Sequence, residues 1–151
     1  MNFQFGFGQE QITDEAFAKA PKLLPTLNRM MRYADFTFGF SKTKFDYNAY
    51  PTKGASTDFI WYQRLAKNAP LSSFQFRKVF VHPFNKTNFL YTESNSQIKF
   101  LANQNYLDQK LLGYGNLQMN GLEFYVVDGN AATIGKMAFH HKLGSISLRN
   151  P

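Results

Sequence analysis

Residues 122–141 read Leu122-Glu123-Phe124-Tyr125-Val126-Val127, then Asp128-Gly129-Asn130, then Ala131 through His141. Six residues rich in β-branched and aromatic types run into an Asp-Gly pair, and a second extended run follows. Asp-Gly between such runs predicts a hairpin closed by a type I′ turn, whose central positions both need positive φ. The C-terminal third is therefore read as antiparallel sheet.

The same period of two recurs upstream. Residues 3–7 are Phe3-Gln4-Phe5-Gly6-Phe7 and residues 36–40 are Phe36-Thr37-Phe38-Gly39-Phe40. In a strand each set of three rings lies on one face. Residues 58–65, with the single Trp61, fit a strand or a short helix. Residues 74–82 predict a strand stopped by Pro83. Residues 88–92 and 97–101 flank the polar run Glu93-Ser94-Asn95-Ser96 and read as a second hairpin. A last strand is expected at 145–149, where Ile146 and Leu148 alternate with polar residues.

Helical signals are fewer. Thr13 is placed to cap a turn at 14–19, with Asp14 and Glu15 where the helix dipole favours acids. A stripe through Leu24, Leu27, Met31 and Ala34 predicts a main helix near 22–33, broken from the first by Pro21 and Pro25. A second helix is expected at 105–112, with Gly113 as its C-cap. Residues 41–57 mix lysines, aromatics and turn formers and read as a long loop. Strands do not alternate with helices, so the pattern predicts a mainly β single domain over 1–151. Its sheets would be antiparallel, in a sandwich or partly open barrel, with one or two short helices; α+β is the alternative.

Composition narrows function. The chain has no cysteine, which excludes disulfides, thiolate metal sites and cysteine nucleophiles. Seventeen Phe and eight Tyr could build a Phe-heavy core with ordinary surface Tyr, or exceed what one small core holds and leave rings for an interface. A net charge of +7 favours anionic partners, although the basic residues are scattered. Neither a signal-peptide pattern nor a helical membrane span is expected, and the protein is read as intracellular or particle-associated.

Catalytic patterns are sparse. Phe5-Gly6-Phe7-Gly8 lacks the lysine and strand–helix frame of a phosphate loop. Adjacent His140 and His141 would face opposite ways in a strand, so they, with His82, predict no metal site. Glu123, amid Phe124 and Tyr125, is the one carboxyl worth testing as an acid or base. Ser145 lacks the nucleophile-elbow pattern.

No enzyme activity, cofactor or metal is expected. The sequence points to a structural or interaction subunit of a larger assembly, for example a virion or another multi-subunit particle. Phe3, Phe5 and Phe7 would form its assembly interface, adding a strand to a neighbouring subunit. The alternative is a basic nucleic-acid-binding domain. There Lys42, Lys44, Lys53, Arg77 and Lys78 would meet phosphates, and Phe45, Tyr47 and Tyr50 would stack on bases.

Overall fold

Alternation of period two governs most of the chain. The computed structural model describes residues 1–11, 13–19, 30–47, 49–67, 69–102, 106–113, 117 and 127–142. Five long strands follow one another: β1 (Asn2–Gln11), β2 (Met30–Phe45), β3 (Gly54–Leu65), β4 (Leu71–Pro83) and β5 (Asn88–Leu101). A sixth, β8 (Ala131–His141), follows the short β6 (Lys110–Leu112) and β7 (Val127–Asp128). The helices are short, α1 (Asp14–Lys19) and α2 (Tyr106–Gln109). The protein is mainly β, as its sequence predicts.

The large sheet is antiparallel throughout, in the order β1-β2-β3-β4-β5-β8. β6 and β7 pair separately as a two-stranded sheet. Among the described residues β1 and β8 do not pair, so the six strands form an open meander. No described helix is long and apolar enough to cross a membrane.

Several local expectations are corrected. The Asp128-Gly129 hairpin does not form. Val127 and Asp128 pair with β6, while β8 pairs with β5. Gly129 lacks the positive φ a type I′ turn requires; the positive-φ glycines among the described residues are Gly54 and Gly113. Glu93-Ser94-Asn95-Ser96 is the middle of β5 rather than a turn. Its polar groups find partners across the sheet: Glu93 accepts from Arg77 at 2.7 Å, and Asn95 accepts from Gln75 at 3.4 Å.

The loop read at 41–57 shrinks to 46–53. Ser41–Phe45 complete β2, and Gly54–Thr57 open β3. Residues 30–33 of the expected main helix begin β2, because Met31, Tyr33 and Asp35 also fit a period of two; residues 22–29 lie outside the described set. Residues 110–112 of the expected second helix form β6. Gly113 has φ 86°, and its N–H donates to the Leu117 carbonyl. Residues 122–126, with Glu123, and 145–149 lie outside the described residues.

The two faces of the meander are unlike in burial. Every buried strand residue of the large sheet lies on one face: Met31, Ser56, Arg64, Leu71, Ser73, Val79, Val81, Asn95 and Ile134. Ile134 packs with Leu111 and Leu117 under the small sheet. At the same end the Arg64 guanidinium forks onto Asp108 of α2 at 3.0 and 2.5 Å and donates twice to the Ala69 carbonyl. Lys99 donates to the Asp108 and Lys110 carbonyls. The small sheet and α2 thus cover one end of the polar face. Most strand phenylalanines line the other face; Phe45 and Phe89 lie on this one.

Two faces of the sheet as candidate interaction sites

Register places the aromatic residues in rows. One row across the sheet is Phe3, Phe38, Trp61, Phe74 and Ile98; the next is Phe40, Phe59 and Phe76. Ring contacts run between them: Phe3 to Phe38 at 5.0 Å, Phe38 to Phe59 at 6.4 Å, Phe59 to Phe74 at 6.3 Å and Phe74 to Phe100 at 6.0 Å. Farther along, Phe80, His82, Phe84 and Phe139 form a second ring cluster.

Eight phenylalanines are open to solvent here. Phe3 and Phe5 are 65% exposed, Phe7 82% and Phe139 65%; Phe76, Phe80, Phe84 and Phe100 are also exposed. At 150–250 Å² per ring and about half exposure, these eight present on the order of 800 Å².

Between the ring clusters lies a basic band. Lys42, Thr57, Lys78 and Ser94 form one row, and Lys44, Ala55, Phe80, Thr92 and Met137 the next. The strand acids of the large sheet, Glu10, Asp35, Asp58 and Glu93, all alternate onto the opposite face. The aromatic face carries Arg32, Lys42, Lys44 and Lys78 with no strand acid against them. A strongly cationic apolar surface results.

The expected site residues divide accordingly. Phe3, Phe5 and Phe7 share the aromatic face of β1, an edge strand that among the described residues pairs with β2 alone. Lys42, Lys44 and Lys78 join them on that face. Arg77 faces the other way, ion-paired to Glu93 at 2.7 Å and Asp58 at 3.7 Å. Phe45 is half-buried on the Arg77 face, in register with Gly54. Tyr47, Tyr50 and Lys53 stand exposed on the 46–53 loop.

That loop is held by one carboxylate. Asp46 accepts from the backbone N–H groups of Tyr47, Thr52 and Lys53 and from the Thr52 hydroxyl. These bonds, the Thr52 hydroxyl first, hold its carboxyl at about 2.

The polar face carries its own network. Ser41 donates to Asp58 at 2.5 Å, and the Tyr91 hydroxyl donates to Glu93 at 2.8 Å. Burial pushes the Glu93 carboxyl up, but the Arg77 and Tyr91 hydrogen bonds outweigh it and hold it low. His140 lies parallel to Phe89 at 5.1 Å, His141 contacts Asn88 at 2.5 Å, and His82 stacks on Phe80. The three histidines are therefore dispersed, and no group of metal-ligating side chains converges among the described residues.

Sequence reasoning missed Phe76, Phe80, Met137 and Phe139 as surface residues, and Asp58 and Glu93 as partners of Arg77. Parity along each strand was the available signal: Lys78 shares alternation with Phe76 and Phe80, whereas Arg77 does not. No family model, curated protein or solved structure matches the chain.

Proposed function

We propose that this protein is a non-enzymatic structural or interaction subunit of a larger assembly, such as a virion or other multi-subunit particle, and that its aromatic sheet face docks on another protein subunit. The observation that carries this reading is the open aromatic face: phenylalanines stand exposed on one side of the sheet, while its buried strand residues, apolar and polar alike, all lie on the other. An exposed ring surface on the order of 800 Å² matches one partner's share of a standard protein interface. The basic band favours a partner bearing acidic groups. The outer edge of β1, unpaired among the described residues and uncharged over residues 2–9, suits addition of a neighbour's strand.

A photo-cross-linking side chain at position 76 or 139, in the native host, tests this directly. The reading expects a discrete protein adduct from either position and none from position 75, on the opposite face. Adducts confined to lipid, or no adduct at all, would refute it.

One observation favours a second reading. Lys42, Lys44 and Lys78 stand beside exposed rings, the arrangement that single-stranded nucleic-acid platforms use. On that reading a Lys42→Gln/Lys44→Gln/Lys78→Gln variant loses affinity for an oligonucleotide, and wild-type binding weakens steeply between about 50 and 200 mM salt. Binding insensitive to salt counts against it.

A further inference from the structure

The polar face is open at the end that the small sheet leaves uncovered. Three cavities there, of about 820, 600 and 640 Å³, share walls. Asp58 and Arg77 line the first and second, Pro51 and Tyr91 the second and third, and Lys136 the first and third. They make one trough from β2 to β8, four inter-strand steps or about 19 Å across. The 46–53 loop bounds its far end through Tyr50 and Pro51.

The structure assigns this trough to a neutral oligosaccharide. Four features argue for that chemistry. Its charges cancel, Asp58 and Glu93 against Arg77 and Lys136, so neither an anion nor a cation gains a net attraction. Its polar groups are mostly planar amides, carboxylates and a guanidinium. Such groups offer paired donors or acceptors to adjacent hydroxyls; Gln75 spends one N–H on Asn95 and carries a second N–H and an amide oxygen.

The far end is aromatic. Phe89 and His140 lie parallel, Tyr91 meets His140 edge-on at 6.3 Å, and Tyr50 is 85% exposed on the loop. Such ring faces suit the C–H face of a sugar. Finally, a single arginine, Arg77, lines the trough, so it lacks the arginine cluster that reads phosphorylated or acidic peptides.

The same geometry argues for binding without cleavage. Glycoside hydrolysis needs a carboxyl kept protonated as general acid. Glu93 is instead held ionised by Arg77 and Tyr91, and Asp58 lies beside the same guanidinium.

The test is an array of neutral glycans followed by calorimetry, with maltohexaose, cellohexaose and the best array ligand as probes. At least one neutral glycan should bind, with affinity unchanged between about 50 and 500 mM salt, because nothing charged is screened. Tyr50→Ala and Gln75→Ala should each weaken binding at least about fivefold, roughly 1 kcal/mol. Phe139→Ser, on the opposite face, should leave it unchanged. The assignment is overturned if no neutral glycan binds, if binding is confined to anionic glycans or to peptides, or if the two trough variants bind as wild type. None of these results bears on the docking of the aromatic face.

Discussion

Removing Asp108 should expose how the polar face is held. The Arg64–Asp108 pair is a two-pronged contact with side chains only 6% and 10% exposed. Asp108→Ala leaves the guanidinium buried with the Ala69 carbonyl and, on its flank, the Tyr33 ring at 5.9 Å. Neither supplies a counter-charge. Breaking a buried pair by removing one partner costs about 3–5 kcal/mol. For a domain of this size that lowers the melting temperature by about 6–20 °C.

Urea unfolding followed by Trp61 fluorescence measures the change, and an unaltered m-value keeps the comparison two-state. Arg64→Met/Asp108→Leu removes both charges and should return to within about 1 kcal/mol of wild type. A loss under about 1 kcal/mol in Asp108→Ala would mean that the pair behaves as a solvated surface bridge. A double variant as unstable as the single one would likewise refute the reasoning.

The remaining predictions concern single positions. The folded Asp46 carboxyl lies at about 2, below the ordinary aspartate value of 3.8. Its stabilisation of the 46–53 loop is therefore full above pH about 4 and lost as pH falls through about 2; an NMR titration midpoint near 4 would contradict this. Gly54 has φ 126°, and a Cβ there would collide with the Lys44 carbonyl, so Gly54→Ala should cost at least about 1–3 kcal/mol in chemical denaturation. The Trp61 indole N–H is buried without an acceptor. Trp61→Phe should then cost less than a cavity of that size implies, checked by the thermal midpoint, because it also removes a penalty of about 1–3 kcal/mol. Deleting residues 1–8 strips most of edge strand β1 but spares Val79, Val81, Leu111, Leu117 and Ile134. Circular dichroism should report a folded monomer while assembly is lost, and intact assembly would sink the role of Phe3, Phe5 and Phe7.

Much of the sheet was legible because Phe-x-Phe at 3–7, 36–40 and 74–76 has no other economical reading. Long-range pairing was not. Asp128-Gly129 has the composition of a tight turn, yet β8 finds its partner in β5, and only tertiary contacts decide that competition. The run 93–96 looked like a turn because four polar residues interrupt apolar ones. In the folded chain Glu93 and Asn95 meet Arg77 and Gln75, so polarity marks a hydrogen-bonded sheet interior rather than a surface bend. Met31 and Ala34 fitted a helical stripe as well as a strand, since a few residues cannot separate periods of 3.6 and 2.

The candidate sites followed the same division. Lys42, Lys44 and Lys78 are grouped by parity that could be counted from sequence. Grouping Arg77 with them required ignoring that adjacent strand residues face opposite ways. The trough was invisible, because Asp58, Arg77, Glu93 and Lys136 come from four strands and converge only through register.

The most direct test of the central claim, that the aromatic face belongs against another protein, is the absolute mass in solution. Size exclusion with light scattering, reading the 260/280 nm ratio on the same run, provides it. The expected result is a large multiple of 17.4 kDa, or aggregation relieved by a co-purifying protein, with the ratio of bare protein. A soluble monomer at high concentration would contradict it, as would a complex whose ratio is that of nucleic acid.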